Sequence, residues 1–122
     1  LGVRMDCARC HNHPFEAWSQ MDYYSFAAFF ARTKRKNGTD ENERVFYAAA
    51  DGDVRHPRTN VVIQPRFLGG DVATFGADED RREKLAAWVT SPANPWFARS
   101  IANRLWNNFF GRGIVNPVDD YR

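Results

Sequence analysis

The sequence predicts a mainly α-helical fold with a small antiparallel β-hairpin insert, in an excerpt of a larger multidomain protein. Apolar residues recur at helical spacing in residues 20 to 32 and again in residues 94 to 110. Between these segments, Asp51-Gly52 is a dipeptide typical of tight hairpin turns. Neither end of the chain carries a helix start or stop signal, so we expect both ends to be cuts and the remaining domains to be partners.

Composition narrows the classes of partner. The 122 residues include 17 Lys and Arg against 15 Asp and Glu, and the two signs are interspersed. A nucleic-acid backbone requires a dense basic surface, so we expect no nucleic-acid partner. No apolar run approaches the roughly 20 residues that a membrane span requires. The basic run Lys34–Lys36 is predicted to be a solvated loop after a helix end.

Two helices are predicted in the first third of the chain. Residues 1 to 10 are interpreted as the last turns of a helix, because Val3 and Cys7 are four residues apart and could share a face. Pro14 ends that helix. Residues 20 to 32 are predicted to form the next helix, and Ser19 followed by Asp22 is a variant of the capping box that begins helices.

The predicted β-hairpin lies in the middle of the chain. Residues 44 to 50 would form its first strand, Asp51-Gly52 its turn, and residues 53 to 56 its second strand. Residues 61 to 63 form a further short β-branched run. Gly69-Gly70 is the strongest break in composition, and we predict a domain boundary there, between residues 1–70 and 71–122.

Two packed helices are predicted after this boundary. The first would begin with an acidic turn at Asp78 and end before Pro92. The second would begin at Asn94-Pro95, with Asn as the cap, and stop at Gly111 in a left-handed conformation. The aromatic residues of these helices follow helical faces and are predicted to be core: Trp88, Trp96, Trp106 and Phe110.

The chemically informative motif is Cys7-Ala8-Arg9-Cys10-His11. Two cysteines at this spacing on a helical turn present both sulfurs on one side, where they can add to the two vinyl groups of a haem. The adjacent His11 can then turn its imidazole toward the iron. The motif predicts covalent haem c, with Cys7 and Cys10 as thioether anchors and His11 as the proximal iron ligand.

Two other sites use the same atoms. Cys7, Cys10, His11 and His13 could hold Zn or Fe without haem, although structural zinc sites usually split their ligands into two separated pairs. A disulfide or CxxC redox pair leaves His11 without a role and lacks the βαβ context of such motifs.

A second axial ligand of the iron is not assigned by the sequence. Met5 precedes the motif on the same turn, and His13 is too close to His11 to reach the opposite face of one haem, which leaves His56 or a ligand outside the chain. Met21 lies on an apolar helix face and is predicted to fill a gap in the core. An open iron position would suit small-molecule redox chemistry.

Other charged residues are predicted to be structural. Asp119-Asp120 is interpreted as a cap or turn, because adjacent side chains of an extended chain point in opposite directions. Arg81-Arg82, Arg99 and Arg104 are interpreted as helix-surface charges or ion pairs with acids such as Glu79 and Glu83.

Residues 1–15, which contain the motif and His13-Pro14, resemble the end of the planctomycete cytochrome-type domain family DUF1549. Residues 66–70 are similar to the join with its habitual partner, DUF1553. The second half resembles DUF1553 through Asp80-Arg81-Arg82, Leu85, Trp88, residues 90–92, Asn94-Pro95, residues 97–99, Asn103-Arg104, Trp106, residues 109–113 and residues 117–120.

The resemblance implies a large multidomain protein of secreted or periplasmic character, in which Cys7, Cys10 and His11 are the haem-attachment residues. The chain would lack the front of the first domain and nearly all of the second. We therefore expect an extracytoplasmic redox protein whose partner is another redox protein or a small-molecule oxidant. The alternatives are a Zn or Fe scaffold and a fragment of a secreted enzyme acting on extracellular polymer; the sequence leaves open whether the protein is an enzyme.

Overall fold

A computed structural model describes residues 1–76 and 79–121. Its elements, in chain order, are a 3-10 turn at Cys7–Arg9, helix α1 at Gln20–Ala27 with a 3-10 extension at Ala28–Phe30, strands β1 at Thr33–Asn37, β2 at Arg44–Ala48, β3 at Val54–Arg55 and β4 at Val62–Ile63, helix α2 at Arg81–Thr90 and helix α3 at Phe97–Phe110. The structure is 32% helical and 13% strand, with two small antiparallel hairpins. The prediction of a mainly α fold with one hairpin insert is therefore wrong, and the chain is a mixed α and β fragment.

Two compact units make up the chain. The first contains residues 1–20 and 86–122, and the second contains residues 21–85. Gly69-Gly70 lie in a tight turn of the second unit, where the Gly70 N–H donates to the Phe67 carbonyl at 3.1 Å. The domain boundary that we placed at these glycines stays a prediction.

The hairpin predicted around Asp51-Gly52 is wrong, because β2 pairs with β1 instead. The register runs from Thr33 opposite Ala48 to Asn37 opposite Arg44. Strand β1 includes the basic run that was predicted to be a loop. Its long side chains lie on exposed strand faces, where Lys36 stands 5.7 Å from the centre of the Tyr47 ring, so they remain in contact with water.

Gly52 does not form the predicted hairpin turn; it lies where the backbone passes close to Ala31. A Cβ at this position would lie 2.5 Å from the Ala31 carbonyl oxygen, so only glycine permits the close approach of the two backbones. Residues 54–55 do form a strand, but they pair with β4, in the β-branched run at residues 61–63.

The core of the second unit surrounds Phe29, which is 1% exposed and packs against Phe67 and Phe75 at centroid distances of 5.2 and 6.2 Å. Arg81 is also buried there, and its guanidinium donates to the Ala28 carbonyl at 3.1 Å and to Asp53 at 2.9 Å. The prediction that Arg81 is a surface charge is therefore wrong.

In the first unit, the predicted helix over residues 1 to 10 is wrong beyond the single 3-10 turn at Cys7–Arg9. Gly2 has a φ of 74°, and a Cβ there would lie 2.2 Å from the Tyr121 ring. The Gly2 carbonyl accepts the Tyr121 N–H at 2.8 Å. The start of the chain is therefore not helical, and it is hydrogen-bonded to a residue near the end of the chain.

The sequence signals for the helix over residues 20 to 32 and for the stop of α3 agree with the structure. Helix α1 and its 3-10 extension occupy residues 20 to 30 of the predicted 20 to 32. The Asn94 side chain accepts the N–H groups of Trp96 and Phe97, both at 3.0 Å, as predicted for a cap, but α3 itself begins at Phe97 and not at Pro95. Gly111 ends α3 with a φ of 75°, so the predicted stop is confirmed. The predicted start of α2 at Asp78 lies outside the described residues.

Helix α3 belongs to the first unit, and the side of the helix that is buried there is polar and not aromatic. Its buried residues are Ser100 and Asn103, whereas Trp106 is 45% exposed and Phe110 66% exposed. The prediction that these two aromatics are core is wrong, because spacing defines an apolar face but not what covers it. None of the described helices is long and apolar enough to cross a membrane.

Candidate functional site

The dithiol motif forms one tight turn in the first unit. The Ala8 N–H donates to the Met5 carbonyl at 3.0 Å, and the N–H groups of Cys10 and His11 both donate to the Cys7 carbonyl at 3.3 Å. Ala8 is fully buried beneath the turn. The backbone between the cysteines is thus fixed on its inner side, while the side chains that carry chemistry lie outside.

Both cysteines are free thiols and both are exposed. Structural cysteines are usually buried in the core, whereas Cys7 and Cys10 both lie at the surface, on either side of a single turn. Exposed and unpaired sulfurs are what a covalent attachment reaction requires.

His11 is held in a definite tautomer. Its Nδ1 lies 2.6 Å from the Asn12 carbonyl oxygen. A carbonyl oxygen can only accept, so Nδ1 carries the proton and Nε2 keeps its lone pair. Histidines that bind metals commonly donate one ring N–H to a carbonyl and bind through the other nitrogen. In the neutral ring, this contact leaves the lone pair of the His11 Nε2 available.

His13 has the opposite pattern. Its Nδ1 accepts the N–H groups of Phe15 at 3.3 Å and Glu16 at 3.1 Å. Backbone N–H groups can only donate, so Nδ1 is unprotonated, and the neutral ring carries its proton on Nε2. Neither nitrogen then has a free lone pair for a metal. His13 acts as a structural clamp of its loop in this conformation.

His56, the remaining histidine, lies in the second unit. Its Nδ1 accepts the N–H groups of Arg58 and Thr59, both at 3.3 Å. The same argument places its proton on Nε2. Of the three histidines proposed from the sequence as metal ligands, the hydrogen bonds favour His11 alone.

The methionine candidates for a second axial ligand are divided between the units. Met5 precedes the dithiol turn in the first unit, whereas Met21 begins the second. Met21 is 44% exposed and lines an open cavity of about 450 Å³ with His56 and Val61, so the prediction that it fills a gap in the core is wrong.

A smaller cavity of about 310 Å³ opens beside Cys7. Its lining residues come from both ends of the first unit: Arg4, Asp6, Cys7, His13, Phe15 and Asp120. Asp120 is 6% exposed and belongs to a turn in which its N–H donates to the Pro117 carbonyl at 3.2 Å. Asp120 thus lies in a turn, and its burial beside the motif was not predicted.

The rim of this cavity carries an ion pair that the sequence did not indicate. Arg4 donates to Asp119 at 2.7 Å, and the side chains are 48% and 42% exposed. The hydrogen bond from Arg4 lowers the pKa of Asp119, and the same contact raises the pKa of Arg4. The two residues lie 115 positions apart, so no local pattern could reveal the pair.

Within residues 1–76 and 79–121, no three His, Cys, Asp or Glu side chains are grouped as a metal site would require. The donor set that does fit a prosthetic group is the pair of exposed thiols with the His11 Nε2. This set suits haem c, which is anchored by two sulfurs and needs one imidazole from the same loop.

Fold and site together define a small mixed α and β fragment that carries an exposed dithiol and histidine turn. Residues 1–35 match the family model PSCyt2, a protein of unknown function (DUF1549), and residues 81–122 match PSD1, a protein of unknown function (DUF1553). These matches confirm the two family names that the residues suggested. No curated protein and no solved structure matches the chain.

Proposed function

We propose that the chain binds haem c covalently, as part of an extracytoplasmic redox protein of cytochrome c-like character. The observation that carries the proposal is the hydrogen bond between the His11 Nδ1 and the Asn12 carbonyl, beside two exposed free thiols. It prepares His11, and neither of the other histidines, for iron binding through Nε2.

Each residue of the turn would have one task. The Cys7 and Cys10 thiols would each add across one vinyl group, with sulfur bonding to carbon and the thiol hydrogen passing to the neighbouring carbon, so no oxidant is consumed. His11 would hold the iron, and Asn12 would fix the His11 ring. The haem supplies one-electron redox chemistry when bound.

Localisation and partners follow from this proposal. Covalent haem attachment normally follows export, so haem c binding would imply a protein that works outside the cytoplasm. The partner would be a second redox protein or a small-molecule oxidant. No described contact favours the Zn or Fe scaffold or the polymer-degrading enzyme over this function.

The test is haem content after export in a host that attaches haem c. We expect the purified chain to give a pyridine haemochrome spectrum of the thioether type, and its peptide mass to include the haem. Cys7→Ala combined with Cys10→Ala, and separately His11→Ala, should reduce covalent haem at least tenfold, because they remove the anchors and the iron ligand.

Two histidine variants serve as matched controls. His13→Ala and His56→Ala remove imidazoles whose Nδ1 atoms are occupied by backbone N–H groups, so we expect both to retain covalent haem. Colourless wild-type protein with an unmodified peptide mass across residues 7–11 would refute the proposal. Zinc in that protein, bound in stoichiometric amount, would support the metal scaffold instead.

A further inference from the structure

Helix α3 carries the largest group of exposed apolar side chains among the described elements. Ile101, Leu105, Trp106, Phe109 and Phe110 are each 43% to 76% exposed. Their exposed surface amounts to roughly 600 Å², whereas soluble proteins rarely expose apolar patches above a few hundred Å² unless a partner covers them. An apolar surface of this size indicates an interaction site.

These five side chains form two neighbouring rows along the helix. Residues four apart lie on one side of an α-helix, so Ile101, Leu105 and Phe109 make one row. Trp106 and Phe110 belong to the next row, and their ring centroids are 4.4 Å apart. No polar side chain of α3 separates the two rows. The five residues therefore form one continuous apolar stripe.

The polar side of α3 is fixed to the first unit by hydrogen bonds. The Asn103 Nδ2 donates to the Val115 carbonyl at 2.8 Å, and the Val115 N–H donates back to the Asn103 Oδ1 at 2.9 Å. Ser100 is buried beside it on the same side of the helix. Turning the helix to bury its apolar side would break both bonds of Asn103. The apolar stripe is thus held outward by specific contacts.

Positive charges flank the apolar stripe on both sides. Arg104 lies in the row beside Ile101 and Leu105, and Arg99 lies in the row beside Trp106. Both arginines are exposed, and none of the ion pairs among the described residues involves either of them. Residues 97–113 contain no Asp or Glu. A partner that covers the stripe would therefore be favoured by carboxylates along its edges.

The shape of this surface favours a protein helix over a membrane or a β-strand. Rows of side chains four apart pack into the grooves of a second helix, and α3 offers two such rows. Helices that lie on membranes have a polar face rich in Lys and Arg, whereas the polar side of α3 is buried and contains Ser100 and Asn103. A strand needs a free sheet edge for its backbone hydrogen bonds, and the side of a helix provides none.

We propose that the apolar stripe of α3 binds an amphipathic helix whose own apolar stripe is flanked by acidic residues. Leu105, at the centre of the stripe, packs against the apolar side of the partner. Arg99 and Arg104 pair with its carboxylates and select it over partners with basic flanks. This interaction uses a different surface from the dithiol turn and does not rest on the proposed haem attachment.

The experiment uses two designed helical peptides that share the same leucine stripe. One peptide carries Glu at the positions beside the stripe, and the other carries Lys at the same positions. Each is labelled with fluorescein and titrated with the 122-residue chain, and fluorescence anisotropy gives the dissociation constant. We expect the Glu peptide to bind about tenfold more tightly, and the difference to decrease at high salt because the arginines are exposed.

Three variants separate the apolar contact from the charges. Leu105→Gln should weaken binding of the Glu peptide about tenfold, because it removes apolar contact at the centre of the stripe. Arg99→Glu combined with Arg104→Glu should make the Lys peptide the tighter ligand. Phe46→Gln is the matched control, since Phe46 is 67% exposed on β2 in the second unit, and it should leave binding unchanged. Far-UV circular dichroism checks that each variant is folded.

Four results would overturn the proposal. Equal affinity for the two peptides would show that the arginines select nothing. Unchanged binding by Leu105→Gln would show that the peptide lies elsewhere. A dimer in sedimentation equilibrium that Leu105→Gln dissociates, without peptide binding, would assign the stripe to a second copy of the chain. Binding to phosphatidylglycerol vesicles that Leu105→Gln abolishes, again without peptide binding, would assign it to a membrane.

Discussion

Arg81 shows how one buried side chain can join several segments of a small unit. Its guanidinium reaches the Ala28 carbonyl at the end of α1 and the Asp53 carboxylate before β3, while its own side chain is only 9% exposed. The planar guanidinium offers five donors in fixed directions, so one side chain can satisfy acceptors from two segments.

We predict that Arg81→Met destabilises the second unit by about 2 kcal/mol. The Ala28 carbonyl loses one of its two donors and Asp53 loses the guanidinium, while the apolar stem of the side chain is kept. Urea denaturation followed by far-UV circular dichroism measures the loss. Arg82→Met is the matched control. Its guanidinium is 41% exposed and pairs with Asp80, so we expect a much smaller change. Equal losses for the two variants would contradict the burial argument.

At this scale, the sequence predicted residue types but not their hydrogen-bond partners. The spacing of residues 7–11 identified the sulfurs and His11 as candidates. It favoured His11 over His13 and His56, but it could not predict the tautomers of the three rings, because these depend on backbone groups within a few residues of each ring. Arg81 and Arg82 look identical in sequence, and only tertiary packing separates a buried donor from a surface charge.

Among the elements, α3 illustrates a helix whose start is specified locally. Asn94 is 8% exposed and its Oδ1 caps two backbone N–H groups, while its Nδ2 donates to the Trp88 carbonyl at 3.3 Å. One side chain therefore begins α3 and also binds a carbonyl near the end of α2.

We expect Asn94→Ala to lower the free energy of unfolding of the first unit by about 1 kcal/mol, the usual cost of losing a cap. Asn94→Ser keeps a capping oxygen but loses the donation to Trp88, so its cost should be smaller. All four tryptophans of the chain lie in this unit, which makes indole fluorescence during urea denaturation the suitable measurement. A serine variant as unstable as the alanine variant would show that the cap is unimportant.

The elements also show where sequence patterns stop being informative. The cap and the stop of α3 depend on Asn94 and Gly111, which lie next to the ends of the helix in the sequence, so both were predictable. The partner of β2 was not, because strand pairing depends on which segments meet in the folded unit. Asp51-Gly52 has the composition of a hairpin turn, yet Gly52 is required by its contact with Ala31, which no local pattern reveals.

For the whole molecule, the least predictable contacts join the two ends of the first unit. Gly2 packs against Tyr121, and Arg4 pairs with Asp119. These contacts also bring Asp120 to the cavity beside Cys7. The sequence therefore identified the cysteines and His11 of the candidate site but not Asp120, which lines the same cavity from more than 100 residues away.

Carboxyl groups in both units link the stability of the molecule to pH. The Gly76 N–H lowers the pKa of Glu79 from its ordinary 4.5, while side-chain hydrogen bonds from Arg82 and Arg4 lower the pKa values of Asp80 and Asp119 from 3.8. Each folded-state pKa lies below the unfolded one, so the unfolded chain binds protons first as the pH falls. These groups stabilise the fold fully above their ordinary pKa values.

We therefore predict that the free energy of unfolding is flat from pH 7 to about pH 5 and decreases as the pH falls below about 4.5. Urea denaturation at a series of pH values measures this slope. In Asp119→Asn the slope reported by indole fluorescence should be shallower, because that variant cannot take up the proton that wild type binds on unfolding. Its stability at pH 7 should fall toward the acid value of wild type. An unchanged slope would mean that the pair with Arg4 contributes nothing in solution, as many exposed ion pairs do.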